Sequence, residues 1–113
     1  VLVNPRAAVP TPRVFATLTS RDNPPVPDLP GTALASAPAF AAWLAGHTRN
    51  DLFAPAQSLT PVLADVLSSL ATTQACLLAR MSGSGGTHFG LYATPETAQA
   101  AARALALTHP GWW

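Results

Sequence analysis

Between two apolar runs, Ala75 to Ala79 and Phe89 to Ala93, the chain carries Arg80-Met81-Ser82-Gly83-Ser84-Gly85-Gly86-Thr87. Three glycines and three small hydroxyl residues fill the six positions from Ser82 to Thr87. Such a loop takes left-handed dihedrals without steric penalty, so it can aim successive N–H groups at one anion or pack tightly beneath a second loop that does so. It can equally be a plain hairpin connection, because glycine and serine are what turns contain. Composition alone does not choose between these uses.

Other reactive side chains are sparse. His47 ends an apolar helical stripe, and no second His, Cys or carboxylate stands at ligand spacing on the same element, so no metal role is expected. The single cysteine, Cys76, cannot form an internal disulfide and falls in an apolar run read as a buried strand, where a thiol behaves as a small hydrophobe. All six cations are arginine, at positions 6, 13, 21, 49, 80 and 103, and their scatter argues against a nucleic-acid groove.

At 113 residues, 49% hydrophobic and 10% charged, with a net charge of +1, the chain is expected to form one packed domain. Its apolar runs fall far short of the roughly 20 residues a membrane-spanning helix needs. With no recognisable signal peptide, these features lead us to expect a soluble, cytoplasmic protein. The sequence opens on Val1-Leu2-Val3 without methionine and stops on Trp112-Trp113, aromatics suited to beginning another buried element. The expectation is a fragment, with a further strand after Trp113.

The elements that must position these residues follow from caps and periodicity. Val1 to Val3 reads as a short strand closed by Asn4-Pro5. Thr11-Pro12, Thr60-Pro61 and Thr94-Pro95 each read as a threonine cap followed by a first-turn proline, with Ser36-Ala37-Pro38 a looser version. Prolines 24, 25, 27 and 30 make the stretch from Thr19 to Gly31 a surface loop. A helix is expected over Ala37 to His47, with Phe40, Trp43, Leu44 and His47 on one face. A short helix with a kink at Pro55, capped by Asn50 or Asp51, comes next. The helix from Pro61 to Ala71 shows the clearest rows, Val62, Val66 and Leu70 beside Leu63 and Leu67. Strands over Ala75 to Met81 and His88 to Ala93 flank the glycine loop, and an alanine-rich helix from Pro95 to Leu107 closes the chain. This order predicts an α+β fold of split βαβ, ferredoxin-like type, an antiparallel sheet with helices on one face.

Taken together, Val3-Asn4-Pro5, Thr11-Pro12-Arg13-Val14-Phe15, Asn50-Asp51-Leu52, the segment Arg80 to Thr87 and Phe89-Gly90 resemble the C-terminal half of the 4-diphosphocytidyl-2-C-methyl-D-erythritol kinases, within the GHMP kinase superfamily. The resemblance runs almost the whole length. It implies that residues 1–113 are a GHMP kinase C-terminal, substrate-side domain, a fragment lacking the N-terminal ATP-binding domain. It also implies an ATP- and Mg2+-dependent transfer of the γ-phosphate to the 2-hydroxyl of the cytidylated methylerythritol, in non-mevalonate isoprenoid synthesis. Thr11 and Phe15 are thereby implied in substrate binding, Phe15 stacking on the cytosine ring. Ser82, Gly83, Ser84, Gly85, Gly86 and Thr87 are implied in supporting the ATP phosphate loop. Arg80 either balances phosphate charge or is an exposed strand-end arginine. The Asn50-Asp51 segment is read as structural, since Phe53 stands where the family often has an acidic residue.

The departures from the family pattern set a limit. The phosphate-binding glycine-serine loop is absent, the chain has no lysine, and Asp22, Asp28, Asp51 and Asp65 lie in no matching context. Phosphoryl transfer depends on positioning and neutralising the phosphates. The isolated chain is therefore expected to carry no catalytic residue, bind no metal or cofactor of its own, and catalyse nothing without its missing domain. A stand-alone small-molecule-binding or regulatory module of the same fold is the alternative. No nucleic-acid or membrane partner is expected.

Overall fold

The computed structural model describes all residues from Val1 to Trp113. Strand β1 (Leu2–Val3) leads to the short helix α1 (Thr11–Ala16), and a loop with a 3-10 turn (Gly31–Leu34) follows. Helices α2 (Ala37–His47), α3 (Phe53–Leu59) and α4 (Val62–Ala71) come next, then the hairpin strands β2 (Leu78–Met81) and β3 (His88–Leu91), then helix α5 (Pro95–Thr108). The sheet order is β1-β3-β2, antiparallel throughout, with Val3 and Met81 both opposite His88. Strand β3 thus lies between β1 and β2, the expected split arrangement. On the outer side of β1, Asn4 and Trp113 exchange both backbone hydrogen bonds, at 2.6 and 3.1 Å.

Helix α4 carries the core on its two predicted rows. Val66 and Leu70 join Val3 and Leu105, while Leu63 joins Val14, Ala56 and Met81. Each fully buried aliphatic side chain stabilises by about 1.5–3 kcal/mol, so these rows hold the helix layer on the sheet. The alanine-rich α5 packs on α4 and contributes Ala101 and Leu105 to the interior.

Local signals placed several ends well. Ser36 accepts the Ala39 N–H at the start of α2, and Thr94 with Thr97 forms a reciprocal capping box on α5. Two threonines do other work. Pro10 carries the first carbonyl of α1, accepting from the Arg13 and Val14 N–H groups, and Thr11 lies inside the helix with no capping bond. Thr60 closes α3 by donating its N–H to Ala56, and Pro61 precedes α4 without a side-chain cap. The expected kink at Pro55 does not arise, because α3 starts at Phe53 and the proline falls in the first turn, where its missing N–H has no partner to lose. Strand β2 begins at Leu78 rather than Ala75. Ala75 takes a left-handed φ of 63° in the turn after α4, leaving Cys76 half-buried outside the strand.

Candidate functional site

Val14 and Phe15 are adjacent on α1 and diverge. Val14 is fully buried against the α3–α4 side of the core, which turns Phe15 outward, 47% exposed. Phe15 does not pack into the interior with Val14. Instead it forms, with Leu18, Arg21, Arg49, Asn50 and Asp51, part of the wall of an open cleft of about 520 Å³. Arg49 and Asp51 form an exposed ion pair at 2.7 Å on one side, worth about 0–1 kcal/mol. A flat aromatic face beside mixed polar groups suits a planar, polar ligand.

The glycine loop is tied to the cleft wall through Asn50 and to the segment from Asn4 to α1 by two further bonds. The Thr11 and Ser84 hydroxyls are 2.8 Å apart, and Asn4 Nδ2 donates to Thr87 Oγ1 at 3.0 Å. Gly83, Gly85 and Gly86 all have positive φ, at 56°, 124° and 83°. Gly85 faces a second constraint, since a Cβ there would meet Val9 Cγ1 at 3.1 Å and Met81 Sδ at 3.3 Å. The loop is closed by Ser82 N–H donating to the Thr87 carbonyl at 2.9 Å. All six predicted loop residues therefore sit in one ordered turn over the core, with Thr11 and Ser84 in direct contact.

Two neighbours behave differently from expectation. Arg80 is half-buried and turns away from the loop: its guanidinium donates to Thr48 Oγ1 and, at 3.4 Å, to the Leu44 carbonyl at the C-terminal end of α2, where a cation complements the helix dipole. It is neither an exposed strand-end residue nor a phosphate partner in this arrangement. Asn50 does more than close a turn. Its Oδ1 accepts the Leu52 N–H at 3.0 Å while Nδ2 donates to the Met81 and Gly83 carbonyls at 2.8 and 2.9 Å.

Sequence reasoning missed His88. Its side chain is fully buried at the start of β3, edge-on to Phe53 with ring centroids 6.2 Å apart, and neither ring nitrogen has a hydrogen-bond partner. Burial pushes its pKa below 6.5; a backbone approach from Gly86 acts in the opposite direction but falls short of hydrogen-bond geometry. The alternation of β3, with His88 and Gly90 inward, was the available signal.

The arrangement can present an aromatic face, hydroxyls and a pinned backbone turn. No group of three or more His, Cys, Asp or Glu side chains converges there. No helix is long and apolar enough to cross a membrane.

Residues 32–110 match the family model described as GHMP kinases C terminal. Over its whole length the chain is 54% identical to a protein of Cereibacter sphaeroides and 48% identical to one of Parvibaculum lavamentivorans, each named 4-diphosphocytidyl-2-C-methyl-D-erythritol kinase. The chain spans about 40% of the length of these curated relatives. It also superimposes on a crystal structure of 4-(cytidine 5'-diphospho)-2C-methyl-D-erythritol kinase with a TM-score of 0.70 at 33% identity, covering 99% of this chain and 40% of the other. With the split sheet and the pinned glycine turn described above, the match over most of the sequence places this chain in the GHMP kinase C-terminal family.

Proposed function

We propose that this chain is the substrate-side part of a 4-diphosphocytidyl-2-C-methyl-D-erythritol kinase, with Phe15 as the platform for the cytosine ring. The observation that carries the reading is the outward Phe15 on a cleft whose wall residue Asn50 bonds the glycine loop, in a chain alignable end to end with kinases of that name. Thr11 holds the platform against Ser84 and stands at the edge of the substrate. Residues Ser82 to Thr87 support a phosphate-binding loop supplied by an N-terminal domain. ATP and Mg2+ belong to that domain, where the hydroxyl-activating groups also reside, because this chain has no lysine and no convergent carboxylates. The parent acts in isoprenoid precursor synthesis in the cytoplasm.

The test is a calorimetric titration of the chain with cytidine 5'-diphosphate. Binding that falls about 5- to 150-fold in Phe15→Ala is expected, the loss of about 1–3 kcal/mol of stacking. Equal affinity in the two proteins would remove Phe15 from the site. The isolated chain mixed with ATP, Mg2+ and substrate should show no turnover, and measurable turnover would refute the division of labour between the two parts.

A further inference from the structure

Asn50 stands where two structures meet. It lines the cleft beside Phe15 and Leu52, and its amide nitrogen reaches across 31 and 33 residues of sequence to the carbonyls of Met81 and Gly83. A primary amide has two N–H donors and an oxygen acceptor, and here the nitrogen donates to the last carbonyl of β2 and to one loop carbonyl while the oxygen holds the Leu52 N–H. No other side chain type of this size supplies two divergent donors and an acceptor at once. Aspartate, the nearest in shape, would turn two donors into lone pairs aimed at two carbonyl oxygens.

The loop has few alternatives to this hold. Its own backbone bonds are the Ser82–Thr87 closure and a longer Gly85 N–H to Ser82 carbonyl contact at 3.3 Å, and three of its residues are glycines without side chains to pack. From the other side it is held by Asn4 on Thr87 and by Thr11 on Ser84. Of these three ties, that of Asn50 is the one made to backbone, with one bond to Gly83 in the loop and one to Met81 at the strand end that leads into it.

We propose that Asn50 is a positioning residue that fixes the glycine loop relative to the Phe15 cleft, so that a ligand entering the cleft displaces cleft and loop together. The inference rests on the reading of the cleft as the cytidine site, and it assigns to Asn50 the link by which occupancy on one side is felt in the turn on the other. Asn50 itself lies outside both apolar clusters; it bonds the carbonyl of Met81 at the end of β2, the carbonyl of Gly83 in the loop and the N–H of Leu52 ahead of α3, so it ties the loop to the edge of the core and to the cleft wall.

The experiment uses the 15N-labelled chain and cytidine 5'-diphosphate as probe, comparing the unsubstituted protein with Asn50→Asp and with Asn50→Ala, the latter removing the donors without adding charge. In the unsubstituted chain, backbone signals of Phe15 and Leu52 and those of Gly83, Gly85 and Gly86 should shift along one saturation curve. Asn50 lines the cleft, so affinity for the probe should change in both variants; at probe concentrations that saturate each variant the cleft signals should shift while the loop signals no longer respond, and amide exchange at Ser82 and Gly85 should quicken by on the order of tenfold. Loop signals that keep following the ligand in Asn50→Ala would overturn the role of Asn50 while leaving the cleft reading intact. Absence of any cleft shift in the unsubstituted chain would sink both.

Discussion

The hydroxyl of Thr11 lies 2.8 Å from that of Ser84, joining α1 to the glycine loop across 73 residues of sequence. The bond links the helix that carries Phe15 to the loop, and it uses the hydroxyl left free because the Pro10 carbonyl, one residue earlier, opens the helix.

Replacing Thr11 by valine keeps the shape and deletes the bond. Because both groups are exposed, stability should fall by no more than about 0.5–1.5 kcal/mol in urea unfolding. Affinity for cytidine 5'-diphosphate should fall as well. A Thr11→Val chain with undiminished affinity would show that the helix is held by Val14 alone.

Gly85 and Gly46 differ in what the fold asks of them. Gly85→Ala must accept a φ of 124° and a Cβ 3.1 Å from Val9, and should cost about 1–3 kcal/mol. Gly46 lies within α2 with open space around it, so Gly46→Ala should stabilise by about 0.5–1 kcal/mol. Chemical denaturation of the two variants should move in opposite directions.

His88 makes stability depend on pH in a defined sense. Its folded pKa lies below the 6.5 it has when unfolded, so below that pH the unfolded chain binds more protons. The contribution is fully present above about pH 6.5 and is lost as pH falls through the lower, folded value. The thermal midpoint should therefore drop on acidification below 6.5. His88→Leu, an apolar replacement among apolar neighbours, should flatten that part of the profile; an unchanged slope would assign it to other groups.

Leu63, on α4, is fully buried with Val14, Ala56 and Met81 and also underlies Gly85, 3.4 Å from its added Cβ position. Leu63→Ala should destabilise by about 2–5 kcal/mol through lost burial and a residual cavity. The loop amides should exchange faster than in the parent chain if this side chain is the floor of the turn.

How much of this was readable in advance can be judged element by element. The starts of α2 and α5 are written locally, in Ser36 with Pro38 and in Thr94 with Pro95, because a cap is satisfied within one helical turn. The two rows of α4 were legible for the same reason: a 3.6-residue period declares which side will be covered. The glycine loop and the outward Phe15 could be nominated from residue type and from the resemblance carried by several motifs in order. What covers what could not. Asn50 looked like a helix cap, Arg80 like either a phosphate partner or an exposed strand end, and only the alternation of β3 hinted at the burial of His88, since each depends on groups contributed by distant segments. The same holds for Thr60, whose role changed because α3 runs on until that residue ends it.

By itself, then, the sequence determined the kinds of element, their order, the apolar rows and the glycine-bearing turn, all consequences of dihedral preference and periodicity over a few neighbours. Tertiary structure alone decided that Thr11 meets Ser84, that Asn50 grips the loop backbone, that Arg80 closes α2 and that His88 is left without a polar partner. Those outcomes depend on which surfaces are driven together when the α4 rows are buried, and burial has no direction along the chain.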